Sequence, residues 1–374
     1  MSPGPTERSA AATTPLARLT HHMNPSPTRA SAARLLVAAA AALAARSVAA
    51  EAVVSLAIDW PAFLSRADPT WNWTAANKTG RPDEWVRSLF GGNAMLGFML
   101  WHDDASDAVR VAVSRADVYD DRGVNATPNA FMNNFVYDRP RLPIGSFFVS
   151  FAAPVTAATG RIVLHGARAE YNLSTAAGSV ALRVWACADA AGAADVIVLE
   201  AESAGGESAS VTWVPAIAQS TWSGRDPKYV PNPPTLNASA PSPGGAGTMN
   251  ITTQPHLRGT AHSTAVLQLP PAGARTAAVF IAATSAVLAS PADADAWASG
   301  QVLAAQAAGV DALRFAHEAW WRAWWPQGGS LFLDYSVLEQ LYYVQIYKFG
   351  SAARRGRAFM DLMGPWFIDE VSLR

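Results

Sequence analysis

Apolar and polar residues alternate with a period of two through much of the chain between residues 51 and 290. From Val180 to Ala186, for example, every second position is apolar, which predicts a strand with one face on a core. Strands recur over this region without an intervening set of helices, which favours a large β-sandwich. The predicted strands are 109–113, 147–151, 160–165, 179–186, 195–202, 210–214, 264–269 and 276–282.

One stretch interrupts the strand pattern. Residues 215–259 are rich in proline, glycine and serine, and we interpret them as a long surface excursion.

The period becomes helical after residue 291, and Gly309 is expected to break this first helical run. A second run follows Asp334, which is a plausible N-cap. Four tryptophans between the two runs cannot all face one buried stripe, so we expect some to pack against a second domain. They are Trp320, Trp321, Trp324 and Trp325, and the apolar positions of the second run are Leu338, Leu341, Tyr342, Val344, Ile346 and Tyr347.

The composition excludes several classes of function. The 374 residues are 50% hydrophobic and 15% charged, which is enough apolar sequence to build a sizeable core. The net charge is −1, so the positively charged surface with which a nucleic-acid-binding protein neutralises phosphates is missing. Cys187 is the single cysteine and is predicted to be a buried structural thiol. Histidine pairs with metal-site spacing and phosphate-binding loops are also missing, so we expect no cofactor or metal.

The N-terminal region has the pattern of a secretory signal peptide. A disordered stretch precedes Arg34, an apolar run at 35–45 and small residues up to Ala50, where we expect cleavage. The run is too short for a stable transmembrane span. Met23 is an alternative start, and an organellar transit peptide or a signal anchor stays open as an alternative.

Glycosylation motifs favour the secretory interpretation. Six of the twelve asparagines stand in N-x-S/T motifs, which is typical of surface segments in secreted proteins. They are Asn72, Asn77, Asn125, Asn172, Asn237 and Asn250.

Three further stretches accompany the tryptophan-rich helix and the Gly-Pro-Trp turn at 364–366. They are WVRSLFGGNAMLGFML (85–100), VSRADVYDDR (113–122) and RPRLPIGSFFVSF (139–151). Together they resemble glycoside hydrolase family 95 and its relatives, secreted sugar-cleaving enzymes with an (α/α)6 barrel. The resemblance covers only the opening of that barrel, so it implies a C-terminally truncated chain.

The resemblance implies four regions: a disordered N-terminus and signal peptide (1–50), a β-sandwich domain (51–290), a helical linker (291–330) and the start of an incomplete (α/α)6 barrel (331–374). It also implies a carbohydrate substrate and hydrolysis of α-L-fucosidic or related bonds by inversion. The catalytic carboxylates of the family lie on later barrel helices, so none is assigned here. The alternative is a non-catalytic extracellular carbohydrate-binding or cell-surface β-sandwich module.

Four residues are candidates for substrate binding. Asp117 and Asp120 are clustered carboxylates of the kind that glycoside hydrolysis needs, although aspartates capping a solvated turn would give the same pattern. Asn93 lies between glycines and equally suits a backbone turn. Trp366 offers an indole face for a sugar ring, because the resembled enzymes open their active site at the corresponding turn.

Overall fold

The computed structural model describes residues 58–121, 141–187, 195–219, 230–242, 247–272, 276–357, 360 and 362–367. These described residues form one compact unit. The predicted signal peptide with its cleavage site at Ala50, and the motif at Asn125, lie outside the described residues. The predicted region boundaries stay predictions.

The larger of two antiparallel sheets has nine strands in the order β1-β6-β7-β8-β9-β14-β13-β12-β11. Its strands alternate buried and exposed residues where one face meets the core and the other meets solvent, as in β7. The strands are β1 (Thr70–Thr74), β6 (Val155–Val163), β7 (Arg168–Thr175), β8 (Gly178–Ala186), β9 (Ile197–Gly205), β11 (Leu236–Pro241), β12 (Thr248–Pro255), β13 (Ala261–Leu269) and β14 (Ala278–Thr284).

The smaller sheet has five strands in the order β10-β5-β4-β3-β2. Two neighbouring strands of this sheet, β3 and β4, are buried on both faces, which explains the nearly continuous apolar sequence of β3. The strands are β2 (Leu89–Gly92), β3 (Leu96–Asp103), β4 (Ala108–Arg115), β5 (Gly145–Phe151) and β10 (Ala209–Pro215).

The two sheets share one hydrophobic core. Leu100 and Val111 of the smaller sheet belong to the same buried cluster as Val184, Leu199 and Phe280 of the larger sheet. The prediction of a mainly β protein is confirmed, and the helical part is small.

Four helices complete the described fold: α1 (Trp60–Ser65), α2 (Pro291–Ala308), α3 (Val310–Trp324) and α4 (Ser336–Ala352). Short 3₁₀ turns lie at Trp85–Arg87 and Trp325–Gly328. Ser290 caps α2, because its hydroxyl accepts a hydrogen bond from the amide of Asp293. Gly309, with φ of 85°, separates α2 from α3 at the expected break.

The helices pack on different parts of the sheets. Val302 and Ala305 of α2 cover the outer face of β13 and β14 in a second apolar cluster. By contrast, Trp321 and Trp325 enter the core shared by the sheets, where they join Tyr343 and Tyr347 of α4.

Local predictions are wrong in two parts of the chain. The helix after residue 334 begins at Ser336 rather than behind an Asp334 cap, because Glu339 turns inward and accepts the amide of Leu333 (2.8 Å) while pairing with Arg66 (2.8 Å). The buried face of α4 consequently carries Tyr343 and Tyr347, whereas Leu338 and Leu341, which the predicted apolar face includes, are exposed.

The second error concerns the predicted excursion at 215–259, which contains β11 and β12 at the end of the larger sheet. The apolar side chains of Met249 and Ile251 pack under α2, but the flanking prolines and serines conceal their alternation.

Candidate functional site

A groove lined by aromatic side chains lies beside α4 and has a volume of about 550 Å³. Three half-buried indoles, those of Trp71, Trp85 and Trp366, contribute to its wall. We call it the indole groove, and it is lined by Pro69, Trp71, Trp85, Val86, Arg87, Ser88, Phe90, Met99, Val337, Gln340, Leu341, Val344, Lys348, Leu362, Met363 and Trp366.

The indole of Trp366 is fixed on the smaller sheet. Its Nε1 donates to the carbonyl of Gly91 (2.9 Å), and its ring meets Phe90 edge-on with 5.2 Å between ring centroids. Gly97 permits this approach, since a Cβ there would lie 2.6 Å from the carbonyl oxygen of Pro365. The ring is therefore held in one position at the wall of the indole groove.

Two buried polar side chains fasten the segment around Trp366. The Ser114 hydroxyl donates to the carbonyl of Pro365 (2.5 Å) and accepts from the amide of Phe367 (3.1 Å). The guanidinium of Arg141 donates to the carbonyl of Gly364. Buried backbone carbonyls need such partners, so these contacts stabilise the crossing of the segment over the sheet.

The charged groups of the indole groove are cationic. Arg87 and Lys348 lie at its edge, and Arg87 pairs with Asp83 (2.8 Å). Among the described lining residues there is no carboxylate. The groove can therefore bind an apolar or sugar-like surface, but its described walls do not supply the two carboxylates of glycoside hydrolysis.

Asn93 closes the turn between β2 and β3 and is 1% exposed. Its side-chain oxygen accepts from the amides of Met95 (3.1 Å) and Leu96 (2.8 Å), while Nδ2 donates to the carbonyl of Cys187 (3.0 Å). These bonds engage both ends of the amide. The geometry favours the backbone-turn interpretation of Asn93 over contact with a substrate.

Asp117 forms a two-bond ion pair with Arg115, at 2.5 Å from Nε and 3.1 Å from Nη2. The same guanidinium donates to the carbonyl of Thr284 (2.9 Å) and lies 3.7 Å from Asp195, which also accepts from Arg357 (2.8 Å). Bidentate pairing of this kind fixes geometry. Arg115 thus joins the end of β4 to the larger sheet, and Asp117 holds its guanidinium in place.

Asp120 is 1% exposed, and its neighbour Asp121 ties the same loop to the hairpin between β12 and β13. Asp121 accepts from the hydroxyl of Thr260 and lies 3.5 Å from Nδ1 of His256, whose Nε2 meets Nδ1 of His262 at 2.9 Å. Burial, and secondarily the charge of His256, lowers the pKa of His262 to about 3. The structure does not bring Asp117 and Asp120 together as an accessible pair.

Residue-level reasoning missed Trp71 and Trp85. Trp71 precedes the buried Trp73 by two positions on β1, so both share the core-facing side of that strand. The spacing of the two tryptophans therefore predicts the position of Trp71. The position of Trp85 depends on the 3₁₀ turn before β2, and no sequence pattern predicts it.

The described residues contain no group of three or more His, Cys, Asp or Glu side chains arranged to hold a metal ion. No helix in the described part of the chain combines the length and apolar character needed to cross a lipid bilayer. Burial raises the pKa of the Cys187 thiol to about 12, as expected for a structural thiol.

The sequence matches no known protein family and no curated protein. Among solved structures, the chain is similar to one titled "Putative kojibiose phosphorylase from human microbiome", with a TM-score of 0.43 and 7% sequence identity. The similarity covers 70% of this chain and 36% of that chain, so this chain spans little more than a third of that protein's length. A likeness of this size does not define the fold or the function.

Proposed function

We propose that the chain is the N-terminal portion of a secreted glycoside hydrolase. In this proposal the two sheets form its β-sandwich, α2 and α3 form the linker, and α4 is the first helix of a catalytic (α/α)6 barrel. The observation that supports it is the apolar character of α4 on both of its faces.

One face of α4 is already covered. Tyr343 and Tyr347 are 1% and 0% exposed, and the Tyr347 hydroxyl donates to the carbonyl of Phe90 (2.8 Å). These contacts join the helix to the smaller sheet. Further burial is not needed for this face.

The other face of α4 is apolar and open. Val337, Leu338 and Leu341 are 59%, 51% and 52% exposed. Burying one such side chain fully contributes about 1.5–3 kcal/mol, and a helix that is apolar all round is typically buried all round. We infer that a further layer covers this face in the functional molecule.

The spacing along α4 indicates what that layer is. Val337, Leu341, Val344 and Lys348 line the indole groove at intervals of four, three and four residues. This is the stripe that a helix presents to a neighbouring helix, packed about 8–10 Å away. The occupant that we propose is therefore an antiparallel helix of the barrel, with apolar residues facing α4.

The proposed chemistry is inversion at an α-linked sugar, α-L-fucosidic or related. One barrel carboxylic acid would protonate the leaving oxygen and a second carboxylate would activate water on the opposite face of the ring. The described residues, Trp366 among them, would support the barrel. This reaction requires no cofactor.

Sequencing cDNA through the codon for Arg374 tests this proposal. We expect the reading frame to continue into paired amphipathic helices that carry inward-facing carboxylates. A stop codon at that point in the mature message would contradict the hydrolase proposal for this product.

A second candidate function follows from the three indoles of the groove, which suit stacking on pyranose rings. In this case the chain is a non-catalytic carbohydrate-binding module. Calorimetric titration with oligosaccharides tests it: Trp85→Ala should abolish binding, whereas Phe315→Ala, at an exposed aromatic of α3 outside the groove, should leave it unchanged. Equal binding by both variants would overturn this candidate.

A further inference from the structure

Three of the predicted glycosylation motifs meet on one surface of the larger sheet. Asn72, Asn77 and Asn172 line a single concavity of about 420 Å³ together with Thr74 and Ser174. All three asparagines are exposed. We refer to this surface, on β1, β6 and β7 and the turn after β1, as the asparagine face.

Two of these motifs are aligned in register across the sheet. Asn72 and Asn172 both pair with Thr159 of the intervening strand β6. Thr74 and Ser174, the hydroxyl residues of the two motifs, likewise flank Ala157. Since neighbouring strands lie about 4.8 Å apart, the two asparagines are separated by about 10 Å.

Successive side chains of a strand point to opposite faces, and this alternation directs Asn72 and Asn172 away from the core. Trp73 on β1 and Leu173 on β7 are buried, and the asparagines that precede them on each strand point to the opposite face. Asn77 lies in the turn after β1, where its side-chain oxygen accepts from the amide of Thr79 (3.0 Å). That bond engages the side-chain oxygen, and Asn77 lines the concavity.

We propose that the asparagine face carries N-linked glycans at Asn72, Asn77 and Asn172 and is the solvent side of the molecule. The donor class is a lipid-pyrophosphate oligosaccharide. The bond from its anomeric carbon to the pyrophosphate oxygen breaks, a bond to asparagine Nδ2 forms, and the amide proton leaves with the lipid pyrophosphate. No oxidation or reduction takes place.

This assignment separates two sides of the protein. None of the asparagines in the described motifs lines the indole groove. Trp71 faces the groove, while the adjacent Asn72 faces the concavity on the opposite side of β1. Glycans on the asparagine face would thus leave α4 free to receive the proposed barrel helices.

The inference rests on the secretory route in the proposed function and is independent of the hydrolase activity. The full chain is produced in a eukaryotic secretory host, collected from the medium, and its peptides are analysed by mass spectrometry before and after enzymatic removal of N-glycans. We expect glycan mass on the peptides that contain Asn72, Asn77 and Asn172.

Matched variants separate loss of the motif from a change in folding. Thr79→Ala should remove the glycan at Asn77, whereas Thr79→Ser keeps the hydroxyl and should retain it. Ser174→Ala and Ser174→Thr form the same pair for Asn172. Each alanine variant should be lighter by the mass of one glycan than the serine or threonine variant at the same position.

Unmodified peptides at the three asparagines in secreted protein would overturn the inference, and so would retention of the whole chain in the cytosol. Secreted protein without these glycans leaves the hydrolase proposal standing. Conversely, a stop codon after Arg374 in the message defeats the hydrolase proposal alone.

Discussion

Gly350 allows the end of α4 to lie directly against two indoles of the core. A Cβ at this position would lie 2.7 Å from Cη2 and 2.8 Å from Cζ3 of Trp321, and 2.8 Å from Nε1 of Trp324. Trp321 is 0% exposed and packs against Trp325 and Tyr347, so its ring has little room to move. The perturbation that exploits this contact is Gly350→Ala.

Two effects of opposite sign decide its outcome. Replacing glycine by alanine inside a helix ordinarily stabilises by about 1 kcal/mol. Inserting a methyl group into a packed core costs about 1–3 kcal/mol. Because the clash involves two packed indoles, we expect an overpacking cost near the upper end of this range and hence a net loss of about 2 kcal/mol in the free energy of unfolding.

Gly300 in α2 provides the matched control, because a Cβ there would meet nothing within 4 Å. Gly300→Ala should therefore show the helix-propensity effect alone, a gain of about 0.5–1 kcal/mol. Urea unfolding followed by tryptophan fluorescence measures both variants, with midpoints moving in opposite directions at an unchanged m-value. A Gly350→Ala variant as stable as the parent protein would refute the packing of α4 against the tryptophans.

Three further outcomes are expected. Burial, reinforced by the charge of Arg354, lowers the pKa of His317 to about 3. As the pH falls below about 6.5, this histidine therefore becomes protonated in the unfolded chain but not in the folded protein, and the free energy of unfolding should drop by about 2 kcal/mol between pH 8 and pH 5. The variant His317→Gln should flatten the dependence of the urea midpoint on pH. Cys187, buried and with its pKa raised to about 12, should react with a disulfide reagent only in denaturant; rapid labelling of the native protein would contradict its burial. Gly97→Ala should displace the segment carrying Trp366, seen as faster proteolysis within residues 362–367, and an unchanged cleavage rate would argue against the crossing.

The centre of the larger sheet was predictable because successive side chains of a strand point to opposite faces. The alternation from Val180 to Ala186 depends only on which side chains meet the core, and the structure buries the four alternating apolar residues, Val180, Leu182, Val184 and Ala186. The helix break at Gly309 was predictable for a similarly local reason, the conformational freedom of glycine.

The candidate site was less predictable, because its residues are defined by contacts between distant segments. Asp117 and Asn93 have the composition of a polar site. However, Asp117 pairs with an arginine, Arg115, whose bond to the carbonyl of Thr284 forms only when the sheets pack, and so does the bond of Asn93 to the carbonyl of Cys187. The face of α4 could not be assigned from periodicity, since apolar residues occur all around the helix and only tertiary packing decides which are buried.

Immunopurification of the native polypeptide with antibodies against its sheets would test the central claim most directly. Its mass and its action on α-linked glycosides are measured together, with the anomeric configuration of the released sugar followed by NMR. The account predicts a polypeptide that is larger than 39.5 kDa after enzymatic removal of N-glycans and that releases sugar with inverted configuration. A native polypeptide no larger than this chain, without hydrolytic activity, would contradict it.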